Sequence, residues 1–196
     1  MATELHAARL DTIAGHILAH GGNRLLDLGC GPGELLERIA PAAVFDDILA
    51  VDIDQRMLDQ ASRNLAPFAK RIRFQRASFC LPQSAFEGFD VATLIETIEH
   101  IDPNRLDGIE NTIFAKARPG AVFVSTPNQD FNVHHGMRPG QMRHPDHRFE
   151  WGRPRFRAWS HRIASRYGYR VLFSDVGEVI ADVGASTQMA IFHRKT

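Results

Sequence analysis

Apolar residues along this chain follow two rhythms that take turns. Leu10, Ile13, Ile17 and Leu18 recur at the three-to-four-residue spacing of an amphipathic helix, and Gly21-Gly22 stop it. The spacing predicts a helix over about residues 3–20, covering a ligand pocket or the sheet, or simply packing. A short apolar run then ends at Asp27, and after a glycine-rich turn a helical pattern opens at Glu34 and closes near Pro41. Residues 48–51 form a second apolar run, closed by Asp52. Residues 55–65 read as a helix and 71–75 as a third strand. The run DVATLI, residues 90–95, is apolar throughout, as a strand buried inside a parallel sheet must be. Residues 105–117 place Leu106, Ile109, Ile113 and Phe114 on one helical face, ended by Pro119-Gly120, and 121–125 form the next strand. Strands alternating with helices predict an α/β fold: an open, mostly parallel sheet with helices on both faces. Such sheets bind ligands beyond the carboxyl ends of their strands.

Residues 25–36, LLDLGCGPGELL, join the first strand to its helix. Glycines at 29, 31 and 33 let the backbone take conformations closed to other residues and let a ligand approach the main chain. Nucleotide, flavin and S-adenosylmethionine sites all use such turns. Here the pattern is D-x-G-x-G-x-G, without the sixth-position glycine of an NAD site, and Asp52 ends the next strand about 20 residues on, where a ribose-binding acid is expected. The sequence resembles the class I S-adenosylmethionine-dependent methyltransferases, whose first motif reads much like LDLGCGPG. The resemblance implies a Rossmann-like fold in which Asp27, Gly29, Gly31 and Gly33 hold the methionine part of the cofactor and Asp52 grips the ribose. It also assigns Ile95 to the cofactor and places Ser78 and Phe79 near the adenine. A loop serine and a core phenylalanine would serve equally as a reading of those last two.

Composition adds constraints. The 196 residues suffice for one methyltransferase domain and are too few for two ordinary ones. Charges balance at 23 basic and 23 acidic, which excludes a global field directed at nucleic acid or membrane. The balance hides an asymmetry: residues 131–170 carry nine arginines and no lysine against Asp146 and Glu150, a local charge of +7 with histidine neutral. One face meant for an anionic partner would look like this. Cys30 and Cys80 supply no disulfide framework, no apolar run reaches the length of a membrane span, and the N-terminus lacks a signal pattern. A soluble, cytoplasmic protein without a membrane partner is expected.

Directly after DVATLI stand Glu96, Glu99 and His100. If the strand gives way to a helix, positions i, i+3 and i+4 share one face. Two carboxylates and an imidazole crowded at the active end of a sheet repel one another unless a cation sits between them. The oxygen-rich set suits Mg²⁺ or Mn²⁺, with Fe²⁺, Co²⁺ or Zn²⁺ also compatible with imidazole. Many small-molecule methyltransferases carry E-x-x-E-H at this place, some for packing or for orienting substrate, so both readings stand at this point.

A polar loop follows the fifth strand, from Ser125-Thr126-Pro127-Asn128 to Arg143 and Trp151. With LIETIEH, STPNQDFN, RHPDHRFEW, then Phe156 and Trp159, the chain resembles the 3′-terminal RNA ribose 2′-O-methyltransferases, the small-RNA methyltransferases of the HUA enhancer family. The likeness covers residues 25–192. It implies a seven-stranded sheet, metal ligands and catalytic residues at Glu96, Glu99, His100 and His147, and a substrate RNA with a free 3′-terminal 2′,3′-diol. A loop histidine hydrogen-bonded to Asp146 or solvent is the plainer reading of His147. His134, His135 and His144 suit loop or RNA contacts. The sequence departs from the family at Gly152, where a threonine usually follows FEW, with Pro154 close behind; the change alters the start of the helix expected over 155–167 and touches no proposed ligand. Bacterial members usually carry an N-terminal ligase-like region and partner with a polynucleotide kinase-phosphatase in RNA repair. That region is not among these residues, so a stand-alone member and an excised domain are both open.

Methyl transfer to a ribose hydroxyl needs an unreactive oxygen to attack a sulfonium methyl in line. A metal on the four ligands could bind both vicinal hydroxyls and polarise the 2′ oxygen, with a nearby imidazole accepting the proton. The arginine-rich loop and helix, about residues 129–168, would hold phosphates, and Phe131, Phe149 or Trp151 could stack on bases. Phe156, Trp159 and Ile163 read as inward-packed. The competing enzyme reading is a metal-dependent O-methyltransferase of a small catechol- or quinone-like molecule, against which the nine arginines count. A catalytically silent RNA-binding module is a third reading, opposed by the intact glycine turn.

Overall fold

The first apolar run becomes the middle of a sheet. In the computed structural model, which describes residues 4–195, seven strands line up in the order β3-β2-β1-β4-β5-β7-β6. They are β1 (Arg24–Leu28), β2 (Asp47–Asp52), β3 (Ile72–Arg76), β4 (Val91–Ile95), β5 (Ala121–Pro127), β6 (Tyr169–Ile180) and β7 (Gly184–Arg194). The first five are parallel, and β7 lies antiparallel between β5 and β6. The mostly parallel seven-stranded sheet expected from sequence is therefore present. Its central strands are buried along nearly their whole length, which accounts for their unbroken apolar runs.

Helices cover both faces. On one side α1 (Glu4–His20), α2 (Glu34–Ile39) and α3 (Gln55–Asn64) pack Leu10, Ile13, Ile17, Leu36 and Leu58 against Ile48, Ala50 and Phe123. On the other, α4 (Leu106–Glu110), which runs on as a wide π-turn over Asn111–Ala117, and α5 (Arg153–Tyr167) pack Ile113, Phe114, Phe156, Trp159 and Ile163 against Leu26, Leu94 and Phe192. Residue 3, where α1 was predicted to begin, lies outside the described residues. Helix α5 starts two residues earlier than its pattern suggested, because Pro154 fits a first turn, where its missing N–H costs nothing. Gly152 precedes it for a steric reason: a Cβ there would collide with the Asp130 carboxylate, which accepts a 2.9 Å hydrogen bond from the Arg153 N–H. No helix among the described residues is long and apolar enough to cross a membrane.

Strand β1 has β2 on one side and β4 on the other. The order in which strands are added reverses there, from β3-β2 on one side to β4-β5 on the other, so a crevice opens above the carboxyl ends of β1 and β4. The glycine turn leaves β1 and the Glu96–His100 stretch leaves β4, which puts both sequence motifs at that crevice.

Candidate active site

Backbone builds the first half of the site. Gly29, Gly31 and Gly33 all take positive φ, at 79°, 53° and 90°. A Cβ on Gly29 would overlap the Thr97 side chain, whereas one on Gly31 would meet nothing within 4 Å, so Gly31 is where a ligand can lie against the main chain. Asp52 accepts from the Gly31 N–H at 2.9 Å through one oxygen and from the Asp54 N–H at 2.9 Å through the other, tying the turn to the end of β2. Asp27 is buried and accepts from the Thr93 hydroxyl at 2.7 Å. Burial, offset in part by Thr93 and reinforced by the Asp52 charge, pushes its carboxyl up to about 6. A cavity of about 190 Å³ opens here, bordered by Asp27, Gly29, Gly31 and Ile95 as expected, and also by His6 and Leu10 of α1. Helix α1 thus covers sheet and pocket together. Gly33, Asp52, Ser78 and Phe79 do not border it. Phe79 sits in the core, and Ser78 accepts from the Cys80 N–H at 3.3 Å. Cys30 borders the cavity as a filler whose thiol is held well above its ordinary range by burial and by Asp27 and Asp52.

Tertiary contacts build the second half. The expected helical face at 96, 99 and 100 does not form: Glu96 takes φ 49°, a left-handed conformation costly to a residue with a side chain, and the chain resumes as a 3₁₀ turn over Ile98–His100. Two hydroxyls at the end of β5 sort the two glutamates. Ser125 Oγ donates to Glu96 at 2.8 Å, and Thr126 Oγ1 donates to Glu99 at 3.0 Å. Glu96 also faces Arg9 at 3.6 Å and borders the cofactor cavity. Of the four residues assigned to a metal by resemblance, the structure brings three together: ligand atoms of Glu99, His100 and His147 all lie within 4.8 Å of one another. Glu96 stands beside this trio, close enough that its charge, after burial, drives the Glu99 carboxyl well above the carboxylate range. The imidazole of His100 is lowered by burial and by its neighbours His147 and His144. The second oxygen of Glu99, Oε1, is buried without a hydrogen-bond partner. A cation is the group that such a carboxylate and two imidazoles would accept.

His147 is not the loosely held loop residue of the plainer reading. Its Nδ1 lies 2.6 Å from Glu150 Oε1, a carboxylate with no exposed side-chain surface. Glu150 also accepts from the Asn132 amide and from the Arg143 N–H, each at 2.6 Å. Burial alone would raise this carboxyl, but bonds from His147, Asn132 and Arg143 outweigh it and hold it below its usual range. With Nδ1 engaged by Glu150, Nε2 of His147 is free to act as a ligand, the arrangement of a metal-binding histidine oriented by a carboxylate. Arg143 clasps the loop as well, donating to Asn132, Asn128 and Ser186. Glu150 is the functional residue that sequence reasoning passed over. Its spacing of three from His147, inside a segment already singled out, was the available signal.

The basic tract divides in two. Arg143, Arg153 and Arg162 are committed to partners within the protein, the last two to Asp175 and Glu110. Arg138, Arg148, Arg155, Arg157, Arg166 and Arg170 are exposed. The expectation that Phe131, Phe149 or Trp151 stacks on bases is corrected: all three are buried, Phe149 and Trp151 stacking on each other at 4.3 Å between ring centres and Phe131 lying about 5 Å from the rings of His134 and His135. Phe156, Trp159 and Ile163 are buried as expected.

A glycine turn at the switch point of this strand order, with an acid closing β2, defines a methyltransferase scaffold. A family model described as a methyltransferase domain matches residues 4–172. The chain belongs to that family, and its domain is of the Hen1 type. The methyltransferase domain of a bacterial Hen1, CtHen1-C, is 37% identical and superposes with a TM-score of 0.88, covering 98% of this chain and 100% of that one. Small RNA 2′-O-methyltransferases of Xenopus tropicalis and Mus musculus are 30% and 31% identical over 97% and 96% of this chain. This chain spans 55% and 50% of their lengths, about half of each curated relative.

Proposed function

We propose that this chain transfers a methyl group from S-adenosylmethionine to the 2′-hydroxyl of the 3′-terminal nucleotide of an RNA, with Mg²⁺ or Mn²⁺ held by Glu99, His100 and His147. The observation that carries the reading is this trio, gathered at the same end of the sheet as the cofactor cavity. The donor set fits a divalent ion: Glu99 keeps a buried oxygen without a partner, and His147 is oriented by Glu150. Such an ion, when bound, supplies Lewis acidity toward two vicinal hydroxyls, which selects a free 3′ end because an internal ribose has its 3′ oxygen esterified.

The chain's own groups do the rest. Asp27 and Gly31 border the cavity that would take the cofactor at the end of β1, and Asp52 holds the glycine turn in place. Glu96, between cavity and trio, borders the space where methyl and hydroxyl must meet. The exposed arginines of residues 138–170, of which Arg148 faces Asp102 at 3.8 Å, lie at the surface where RNA phosphates could reach them. The names carried by the relatives from Xenopus tropicalis and Mus musculus support the RNA substrate.

The test is methyl transfer from labelled cofactor to two short RNAs, one ending in a 2′,3′-diol and one in a 2′-deoxynucleotide, each with Mn²⁺ and with chelator. Label on the diol alone, and with metal alone, is the expected result. Equal labelling of the deoxy end, or labelling that survives chelator, overturns the reading. Transfer to a small vicinal diphenol in place of either RNA would make this a small-molecule enzyme.

A further inference from the structure

A second, larger cavity, about 410 Å³, has Arg9 in its wall, the residue that also faces Glu96. Its wall comes from three places far apart in sequence: α1 through Ala8 and Arg9, the loop after β5 through Phe131, His134 and His135, and the end of β6 through Val176 and Ile180. Along this wall β6 slips register between Val176 and Val179, where Gly177 adopts φ 104° and the edge strand bulges. The volume falls within the range of small-ligand sites.

Two features connect this cavity to the site. Arg9 reaches from the cavity wall to Glu96, and Arg143 donates to Ser186, a wall residue that is also bonded to His135 at 2.8 Å. The lining suits a flat heteroaromatic group: the exposed rings of His134 and His135 are each backed at about 5 Å by the buried Phe131 ring, and Val176 and Ile180 add apolar side chains to the wall. A phosphate is a poorer occupant, because Arg9 is already paired with Glu96 and Glu178 adds a negative charge to the wall.

We infer that this cavity receives the base of the RNA's terminal nucleotide while its ribose sits at the trio. The inference rests on the RNA reading given above. Stacking in an aromatic pocket makes the base part of the recognition of the 3′ end, beyond the diol.

The experiment compares an RNA with an ordinary 3′-terminal nucleotide against one whose last residue is an abasic ribose that keeps both hydroxyls. Loss of the base is expected to lower kcat/KM on the order of tenfold or more. Ala8→Trp, at an exposed helix position, fills the cavity and is expected to bring the ratio of the two substrates close to one. Equal kcat/KM for both ends in the parent protein overturns the pocket and leaves the RNA reading standing. No transfer to either RNA overturns both. Because the parent protein alone gives this comparison, the result does not depend on the variant folding.

Discussion

The two halves of the site are made by different means. On the cofactor side, the chain turns through residues 29–33 and almost every contact is backbone: positive φ at three glycines, and Asp52 bound to main-chain N–H groups. Around Glu99, His100 and His147 most contacts are side chains held by other side chains, with Thr126 on Glu99, Glu150 on His147 and Asn132 on Glu150, joined by the Arg143 N–H. A backbone site is specified locally and tolerates much around it. A side-chain site depends on elements distant in sequence and fails when any one of them moves.

That contrast can be broken by substitutions that should act on one side alone. Glu99→Ala removes the buried carboxylate of the trio and is expected to lower methyl transfer on the order of a thousandfold, while calorimetry finds cofactor affinity unchanged. A matching loss of cofactor affinity would erase the distinction between the halves. Asp27 provides a test on the cofactor side. Its carboxyl titrates at about 6 in the fold against an ordinary 3.8. A raised folded value means the proton is held more tightly by the folded chain, so a penalty of about 3 kcal/mol is present in full above pH 6 and fades as pH falls toward 4. Asp27→Asn should therefore melt at a higher temperature than the parent at pH 7.5, with the gap closing by pH 4; a gap independent of pH would contradict the assignment.

Smaller effects sharpen the picture. Glu150→Gln keeps the size of the side chain but removes the charge that orients His147 and sets an amide N–H against a donor, so Mn²⁺ affinity should fall by about tenfold to a hundredfold and the melting temperature should drop with it. An unchanged affinity would reduce Glu150 to a loop anchor. Asp52→Ala should raise the cofactor dissociation constant by about tenfold, the loss of charged hydrogen bonds, and leave metal affinity alone.

Legibility in the sequence follows the same division. The turn, Asp52 and five strands could be read because each is a short, contiguous pattern: an apolar run, then glycines, then helical spacing. Strand β7 could not be read from periodicity, because it buries Ser186, Thr187 and Gln188 along with its apolar residues. Strand β6 is an edge whose bulge interrupts any alternation. Glu96, Glu99 and His100 were picked out as charged groups crowded after a buried strand and His147 through resemblance, while the helical spacing offered for the first three does not hold, since the strained residue Glu96 breaks the helix before it starts. Glu150 and Thr126 escaped notice because their roles exist only once β5, the 3₁₀ turn and the loop are brought together. The aromatic residues of the basic loop were misjudged in the same way: a polar stretch sends Phe149 and Trp151 into the core on the α4 and α5 side of the sheet.

The central claim is that Glu99, His100 and His147 form one cation site separate from the cofactor pocket. Titrating the protein with Mn²⁺ and following the paramagnetic signal of the free ion tests it most directly. The parent should bind one equivalent, and His147→Ala should lose that equivalent while cofactor affinity stays within about twofold. Undiminished Mn²⁺ binding by His147→Ala would contradict the account.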